Sequence, residues 1–399
     1  MSARAGAGVS TRPDPLAAGV EAANATAQQL GRGDVDLAVV FASGTNLRAP
    51  EAVLEGVRSV LAPGALVGCA AGGVLGAGRE LESESAVPVW AARFSGTGQA
   101  ETFHLVMSDE DDETIGGPPA LAGLPTLGGL PPLDGATGLI LLTDPYSFAP
   151  DRALARLTAA APALPVLGGL ASGRTPAGSS ALFADDRVYD TGAVGVRLHG
   201  IEMLPCVSQG AAPVGRELTI TAAEGNVICE LAGRPALDTV EQIVGELTHR
   251  ERVLLSGGLL IGIVIESGQP EYEQGDFLVR GVLGADPESR SLIVGATVRE
   301  GQIVRLHARD AQSADEDLRR ALRLRVEALA GEPAAGAIVF SCNGRGRAMF
   351  GTPDHDVLAV TDELGGAPTA GFFAAGEIGP VGGRSFLHGF TATIAVFPA

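Results

Sequence analysis

Lysine is missing from this 399-residue sequence, in which all 28 basic residues are arginine. A Walker-type phosphate loop, a kinase strand lysine, a pyridoxal Schiff base and a lysine aldolase each need a primary amine, so all four are excluded. A composition rich in alanine, glycine and arginine is the bland cause. Cysteine is scarce too. Cys69, Cys206, Cys229 and Cys342 are scattered, with no C-x-x-C and no nearby histidine pair, so no structural zinc site and no cofactor is expected. Net charge is −19 and no basic stripe is visible, which excludes a nucleic-acid backbone as partner. Long apolar runs are missing as well. The strongest, Leu259–Ile265, is too short to span a bilayer, and Met1–Pro15 lacks the apolar core of a signal peptide. Cytoplasmic residence, reduced thiols and no membrane insertion are the expectation.

What is present concentrates near the C-terminus. Ala337-Ile338-Val339-Phe340 reads as a short buried strand feeding the loop Ser341-Cys342-Asn343-Gly344-Arg345-Gly346-Arg347. A second apolar run, Gly371-Phe372-Phe373, leads to Gly376-Glu377-Ile378, and His388 introduces a last alternating strand. Both loops place polar groups at the mouth of a sheet.

Cys342-Asn343-Gly344-Arg345-Gly346, Gly371-Phe372-Phe373, Gly376-Glu377-Ile378 and Leu387-His388-Gly389-Phe390-Thr391 resemble the C-terminal part of FIST proteins, a family of two-part intracellular signal-transduction domains. Asp36–Ser43, Leu66–Gly73 and Ser85–Val89 look like the family's N-terminal part. The resemblance covers most of the chain. It implies a sensory role with a small ligand, amino acids having been proposed for the family, and supplies no catalytic residues.

Length and a 46% hydrophobic content allow two substantial cores. The expected organisation is a mobile tail over 1–15, a first domain over 16–212 and a second over 213–399, each a mixed α/β sheet with packed helices. In the first domain, helix Pro15–Leu30, strand Asp36–Phe41, helix Pro50–Leu61, strand Ala65–Cys69 and strand Val87–Phe94 are followed by a similar order. That second unit reads strand Gly138–Thr143, helix Pro150–Ala160, strand Leu164–Gly173 and strand Gly192–Leu198, an internal duplication of a strand-helix-strand-strand unit. The motif appears a third time from Ala337 onward, there assigned to the second domain. The acidic run Asp109–Glu113 lacks EF-hand spacing and reads as a solvated turn. In the second domain, Glu217–Thr221 and Asn226–Leu231 read as a hairpin, and Pro235–Arg250 and Ala314–Leu329 as helices. Sheet-on-sheet docking would give an α-β-β-α layering.

The terminal loops support two chemistries. In the binding reading, Arg345, Arg347 or Arg384 forks onto a carboxylate, and Glu377 meets an ammonium, together the complement of a free amino acid. Asn343 and His388 add hydrogen bonds, Gly344, Gly346, Gly376 and Gly379 admit backbone N–H groups, and Phe372, Phe373 and Phe386 wall the pocket. In the structural reading, Glu377 accepts loop N–H groups or pairs with an arginine, and the phenylalanines are core. Cys342 is a nucleophile with His388 as base, or a small residue fitted under a turn.

Three functions from different classes follow: a sensor binding an amino acid or related metabolite, a cysteine hydrolase or transferase built on Cys342 and His388, and a protein-interaction scaffold without a ligand. The motifs G-x-S-x-G, H-E-x-x-H and G-x-x-x-x-G-K-[ST] are absent, which weighs against an enzyme. No output segment is recognisable, so a sensor of this kind is expected to signal through a separate protein partner.

Overall fold

The computed structural model describes residues 3–108, 126–265, 268–269, 272 and 275–399; the acidic run Asp109–Glu113 lies outside them. The protein is mixed α/β and forms two compact units. One comprises Met1–Val207, Arg319–Leu387 and Ala392–Ala399, and the other Ser208–Leu318 and His388–Thr391.

The chain begins with strand β1 (Ala3–Ser10) and helix α1 (Pro15–Leu30), the latter started by Pro15 and capped by the Asp14 carboxylate on the Ala17 amide at 2.8 Å. A first repeat follows: β2 (Leu37–Ala42), α2 (Pro50–Leu61), β3 (Ala65–Ala70), the hairpin β4 (Val74–Gly76) and β5 (Arg79–Leu81), then β6 (Val87–Phe94). After β7 (Gln99–Ser108) and β8 (Thr126–Gly128) the order returns. It comprises β9 (Ala136–Thr143), α3 (Pro150–Ala160), β10 (Val166–Leu170), the hairpin β11 (Leu182–Ala184) and β12 (Arg187–Tyr189), and β13 (Ala193–His199). Strand β14 (Leu204–Gln209) then leads away.

The second unit is built from β15 (Ala211–Glu224), β16 (Val227–Leu231), β17 (Arg234–Pro235), α4 (Ala236–Glu246), α5 (His249–Leu255), β18 (Leu260–Val264), β19 (Phe277–Asp286), β20 (Ser291–Val294) and β21 (Ile303–Arg309). Its sheet runs β15-β21-β18-β19-β20-β16-β17, and an added β15–β16 pairing closes a ring of antiparallel neighbours that leaves β17 outside. Closure removes the open edges of the ring. Ile220, Ile228, Leu231, Ile261, Leu292, Val304 and Leu306 from the ring pack with Val240 and Ile243 of α4. The single helix expected over Pro235–Arg250 is two, because Thr248 and Glu251 form a capping box that starts α5 afresh. Gly245 near the end of α4 has open space where a Cβ would stand. Gly245→Ala is therefore expected to raise stability by roughly 0.4–1 kcal/mol, read as a higher denaturant midpoint with unchanged slope.

Helix α6 (Ala311–Ala328) precedes the third repeat: β22 (Ala334–Cys342), the short α7 (Arg347–Phe350), α8 (His355–Glu363), β23 (Thr369–Ala374), the hairpin β24 (Glu377–Val381) and β25 (Arg384–His388), and β26 (Thr391–Pro398). In each repeat the two strands flanking the helix are parallel neighbours, β2–β3, β9–β10 and β22–β23, and the last strand pairs antiparallel with the first. The hairpins do not stay at home. The first repeat's β4–β5 joins the third sheet (β14-β26-β22-β23-β4-β5), the second's β11–β12 joins the first (β1-β6-β2-β3-β11-β12), and the third's β24–β25 joins the second (β25-β24-β10-β9-β13-β7-β8).

This cyclic exchange corrects the division at 212/213. The third repeat belongs to the first compact unit, because its strand β23 is completed by β4 through Phe372 opposite Val74. The duplication is thus one pair out of three. The mobile tail is corrected as well: Ala3–Ser10 pairs with β6 over its whole length. Its glycines, which look like tail composition, allow α1 to lie against the strand. A Cβ on Gly6 would stand 2.6 Å from the Thr26 carbonyl oxygen, and one on Gly8 2.5 Å from that of Ala22.

Strands buried on both faces read as continuous apolar runs, and alternation decides which core each residue enters. Leu37, Val39 and Phe41 of β2 face a core shared with Ile140 and Leu142 of β9 and Ile338 and Phe340 of β22. Ala38, Val40 and Ala42 face α1 and α2 instead. Leu139 and Leu141 pack with Leu154 and Leu157 of α3. From α2 through the first sheet, the shared core and the second sheet to α3, the order is α-β-β-α inside the first unit. Trp90 of β6 is fully buried there, with its indole N–H on the Pro368 carbonyl at 3.1 Å.

Candidate functional site

The turns that follow β3, β10 and β23 meet. Ser172 is the joint: its Oγ accepts the Gly72 amide at 2.9 Å and donates to the Phe373 carbonyl. The Gly173 amide reaches the Ala70 carbonyl, the Ala375 amide the Leu170 carbonyl, and the Phe373 amide the Gly73 carbonyl, at 3.2, 3.0 and 3.0 Å. Each repeat thereby anchors its neighbour at the carboxyl ends of its parallel strands, the end at which α/β sheets bind ligands.

The loops that leave β2, β9 and β22 stand beside this junction, and each is tied down differently. After β2, Ser43 Oγ donates to the Glu84 carbonyl at 2.8 Å and accepts the Ala86 amide at 3.1 Å. After β9, buried Asp144 accepts the amide and hydroxyl of Ser147 at 2.7 and 2.6 Å and the Ser180 hydroxyl at 2.5 Å. Burial would raise the Asp144 carboxyl, but these hydrogen bonds hold it below its usual range.

After β22 the fastening is ionic. Arg345, 2% exposed, forks onto Asp356 at the start of α8, Nε to Oδ2 at 2.6 Å and Nη2 to Oδ1 at 2.9 Å. Ser341 Oγ donates to Asp356 at 2.8 Å, and His355 Nδ1 stands 3.0 Å from its other oxygen while the ring stacks on Phe350 at 3.5 Å. Burial would raise the Asp356 carboxyl, yet the Arg345 charge and these hydrogen bonds hold it well below the usual carboxylate range. Burial likewise opposes the Arg345 charge, and Asp356, with smaller contributions from Cys342 and Glu377, outweighs it.

The first repeat's hairpin grips the same loop from the other side. Glu80 of β5 accepts the Asp356 and Val357 amides at 2.8 and 3.1 Å, capping α8, and its own amide donates to Asp354 at 2.6 Å. Glu82 accepts the Arg347 amide at 2.9 Å.

The residues singled out from the sequence fall into three groups. Cys342 sits opposite Ala374 across the parallel pair β22–β23, and the Asn343 amide donates to the Ala374 carbonyl at 2.9 Å, so Cys342, Asn343, Gly344, Arg345 and Gly346 lie at the same sheet end as Gly376 and Glu377. Cys342 and Gly344 are half-buried, Asn343 and Arg347 exposed, and the Gly344 amide points at the Cys342 sulfur at 3.4 Å. Glu377 is fully buried and faces Gly169 across β10, and the Gly376 carbonyl accepts the Leu170 amide at 2.8 Å. Phe372 departs from a ligand-lining role. Phe372 is fully buried between Phe41 at 4.7 Å and Phe340 at 5.9 Å, whereas Arg384 is exposed on its hairpin, 5.5 Å above the Phe386 ring. His388 is buried and belongs to the second unit, whereas Cys342 belongs to the first.

Sequence reasoning missed Asp356 and Glu80, and with them the clamp. Helix α8 was the overlooked element. The strand-helix-strand order of the first two repeats calls for a helix between β22 and β23, and Pro353-Asp354 ahead of Val357, Ala359 and Val360 is its signal. Among the described residues no group of three or more His, Cys, Asp or Glu could hold a metal ion, and no helix is long and apolar enough to cross a membrane.

Comparison with known proteins accounts for nearly the whole chain. The FIST N domain model matches residues 36–234 and the FIST C domain model residues 236–380. An uncharacterized protein of Mycobacterium tuberculosis (strain ATCC 25618 / H37Rv) is 43% identical over 394 residues, 99% of this chain and 99% of its own length. One of Mycobacterium bovis (strain ATCC BAA-935 / AF2122/97) is 42% identical over 394 residues, 99% of this chain and 98% of its own.

Proposed function

This chain belongs to the FIST family, whose domains are sensory signal-transduction modules, and we propose that it binds a small ligand at the loop Cys342–Arg347. The observation that carries the reading is the division of labour within that loop. Arg345 is spent on Asp356 and holds the backbone in place, while Asn343 and Arg347 remain exposed at the carboxyl ends of parallel strands. The geometry supports Arg347 as the fork for a ligand carboxylate and Asn343 as the hydrogen-bonding partner. A free amino acid or a related carboxylate metabolite is the ligand class this chemistry suits. The rigid pair behind the loop favours binding, because immobilised backbone lowers the ordering cost of association.

The hydrolase or transferase reading drew on Cys342 and His388, which fall in different compact units. Cytoplasmic residence and a separate protein receiving the signal are parts of the proposal.

A thermal-shift screen against the proteinogenic amino acids and small carboxylate metabolites tests it. At about a hundred times its dissociation constant, a ligand that binds only the folded state stabilises it by about 2.7 kcal/mol. The shift is expected in the parent and not in Arg347→Ala. No shift with any compound, or an equal shift in Arg347→Ala, overturns the assignment.

A further inference from the structure

Glu80 stands out among the buried acids because it belongs to a different repeat from everything it holds. Its Oε1 takes two amides in the first turn of α8, and its Oε2 is buried with no hydrogen-bond partner among the described residues. The group it approaches is itself an acid, Asp356, whose two oxygens are engaged by Arg345, Ser341 and His355. From α8, then, Glu80 faces the Asp356 carboxylate, with His355 behind it and Asp354 on its backbone amide. On the side of the β22 loop, Arg345 forks onto that same Asp356 carboxylate. The hairpin of Glu80 itself supplies Glu82 and the neighbouring Arg79.

We propose that Glu80 is a proton-operated strut: neutral, it caps α8 without opposing Asp356 and locks the Cys342–Arg347 loop, and ionised, it repels Asp356 and loosens that loop. The proposal rests on the ligand-loop reading for its consequence, that binding there is coupled to proton uptake. Its physical basis is independent of any ligand. A carbonyl oxygen serves the two amides in either protonation state, so protonation does not remove the cap. It does remove a second negative charge from a site where one carboxylate is already buried.

Burial, and after it the Asp356 charge, raise the Glu80 carboxyl to about 7, against the lowering effect of the two amides. The sign follows from linkage. With the folded value above the ordinary one, Glu80 contributes stability that is fully present below the ordinary carboxylate range and is lost as pH rises through about 7.

Hydrogen exchange of the full chain, corrected for intrinsic rates, is the test. Opening exposes a carboxyl of ordinary pKa and releases the proton held up to about 7, so protection of the Asp356, Val357, Arg345 and Arg347 amides should be about tenfold higher at pH 6 than at pH 8. Glu80→Gln keeps the acceptor oxygen and lacks the charge; it should show equal protection at both pH values, above the parent's at either. Glu80→Ala should lose protection at both. Equal protection of the parent at the two pH values, or a tenfold difference that survives in Glu80→Gln, overturns the strut. No ligand enters the measurement, so a failed ligand screen would remove the ligand-loop reading and leave the strut standing.

Discussion

Asp356→Ala is expected to destabilise the protein by roughly 3–5 kcal/mol, because removing one partner of a buried ion pair leaves the other charge without compensation. The stranded group would be the Arg345 guanidinium, 2% exposed and held by two bonds to the lost carboxylate. Ser341 would lose its acceptor at the same time. Urea denaturation of the full chain measures the effect. The double variant Arg345→Met with Asp356→Leu should recover most of it, since an apolar pair of similar volume replaces a buried ion pair at little net cost. A loss below about 1 kcal/mol for Asp356→Ala would show that water reaches Arg345, and the clamp would no longer account for the loop. The pH window also separates this pair from Glu80. Asp356 has a depressed carboxyl, so its contribution is present above the ordinary carboxylate range and lost only as pH falls through its folded value. Neither Asp356 nor Arg345 changes charge between pH 5 and 8, so a slope there belongs to other groups.

Gly168→Ala should be the most damaging single methyl in the first unit, costing about 3 kcal/mol or more, with little folded protein recovered. Its Cβ would stand 1.8 Å from the Leu141 carbonyl oxygen, and its φ of +152° disfavours a side chain besides. The neighbour is backbone in the buried part of β9 and has no rotamer to yield. The same position recurs in every repeat: Gly68 opposite Val40 and Gly371 opposite Val339, where a Cβ would meet those carbonyl oxygens at 1.8 and 2.1 Å. The expected readout is loss of the cooperative unfolding transition by circular dichroism. A Gly168→Ala variant melting with the parent would mean that β9 and β10 separate more easily than their register implies. Gly245→Ala is the built-in contrast, the same chemical change in open space.

Legibility varied with how local the cause was. Helices Pro15–Leu30, Pro50–Leu61 and Pro150–Ala160 were readable to the residue, because proline at the first turn and an apolar stripe are properties of consecutive residues. The strands Val39-Val40-Phe41, Leu139–Leu142 and Ile338–Phe340 were readable for the same reason. The hairpins were not. Strands β4, β5, β11 and β12 hold three residues each, too few for a period to show, and their partners lie in other repeats. In β1 the sequence misled, since alanine and glycine chosen for close contact with α1 have the composition of a tail.

The candidate site divides along the same line. That Cys342–Gly346 and Gly376–Glu377 would lie at one end of a sheet followed from two short apolar runs each ending in a glycine-rich turn, and their juxtaposition in β22 and β23 agrees. By itself, then, the sequence determined the class of fold, the positions of most helices and parallel strands, the repetition of the unit and the family. Tertiary structure alone decided which unit the third repeat joins, that Arg345 is consumed by Asp356, and that Glu80 reaches the Asp356 amide of α8 across 276 residues of chain. The reason is physical. Periodicity and capping act between residues a turn or a strand apart, whereas hairpin exchange and charge pairing depend on surfaces that exist only after the sheets have formed, and many partners of equal chemistry compete for each group until then.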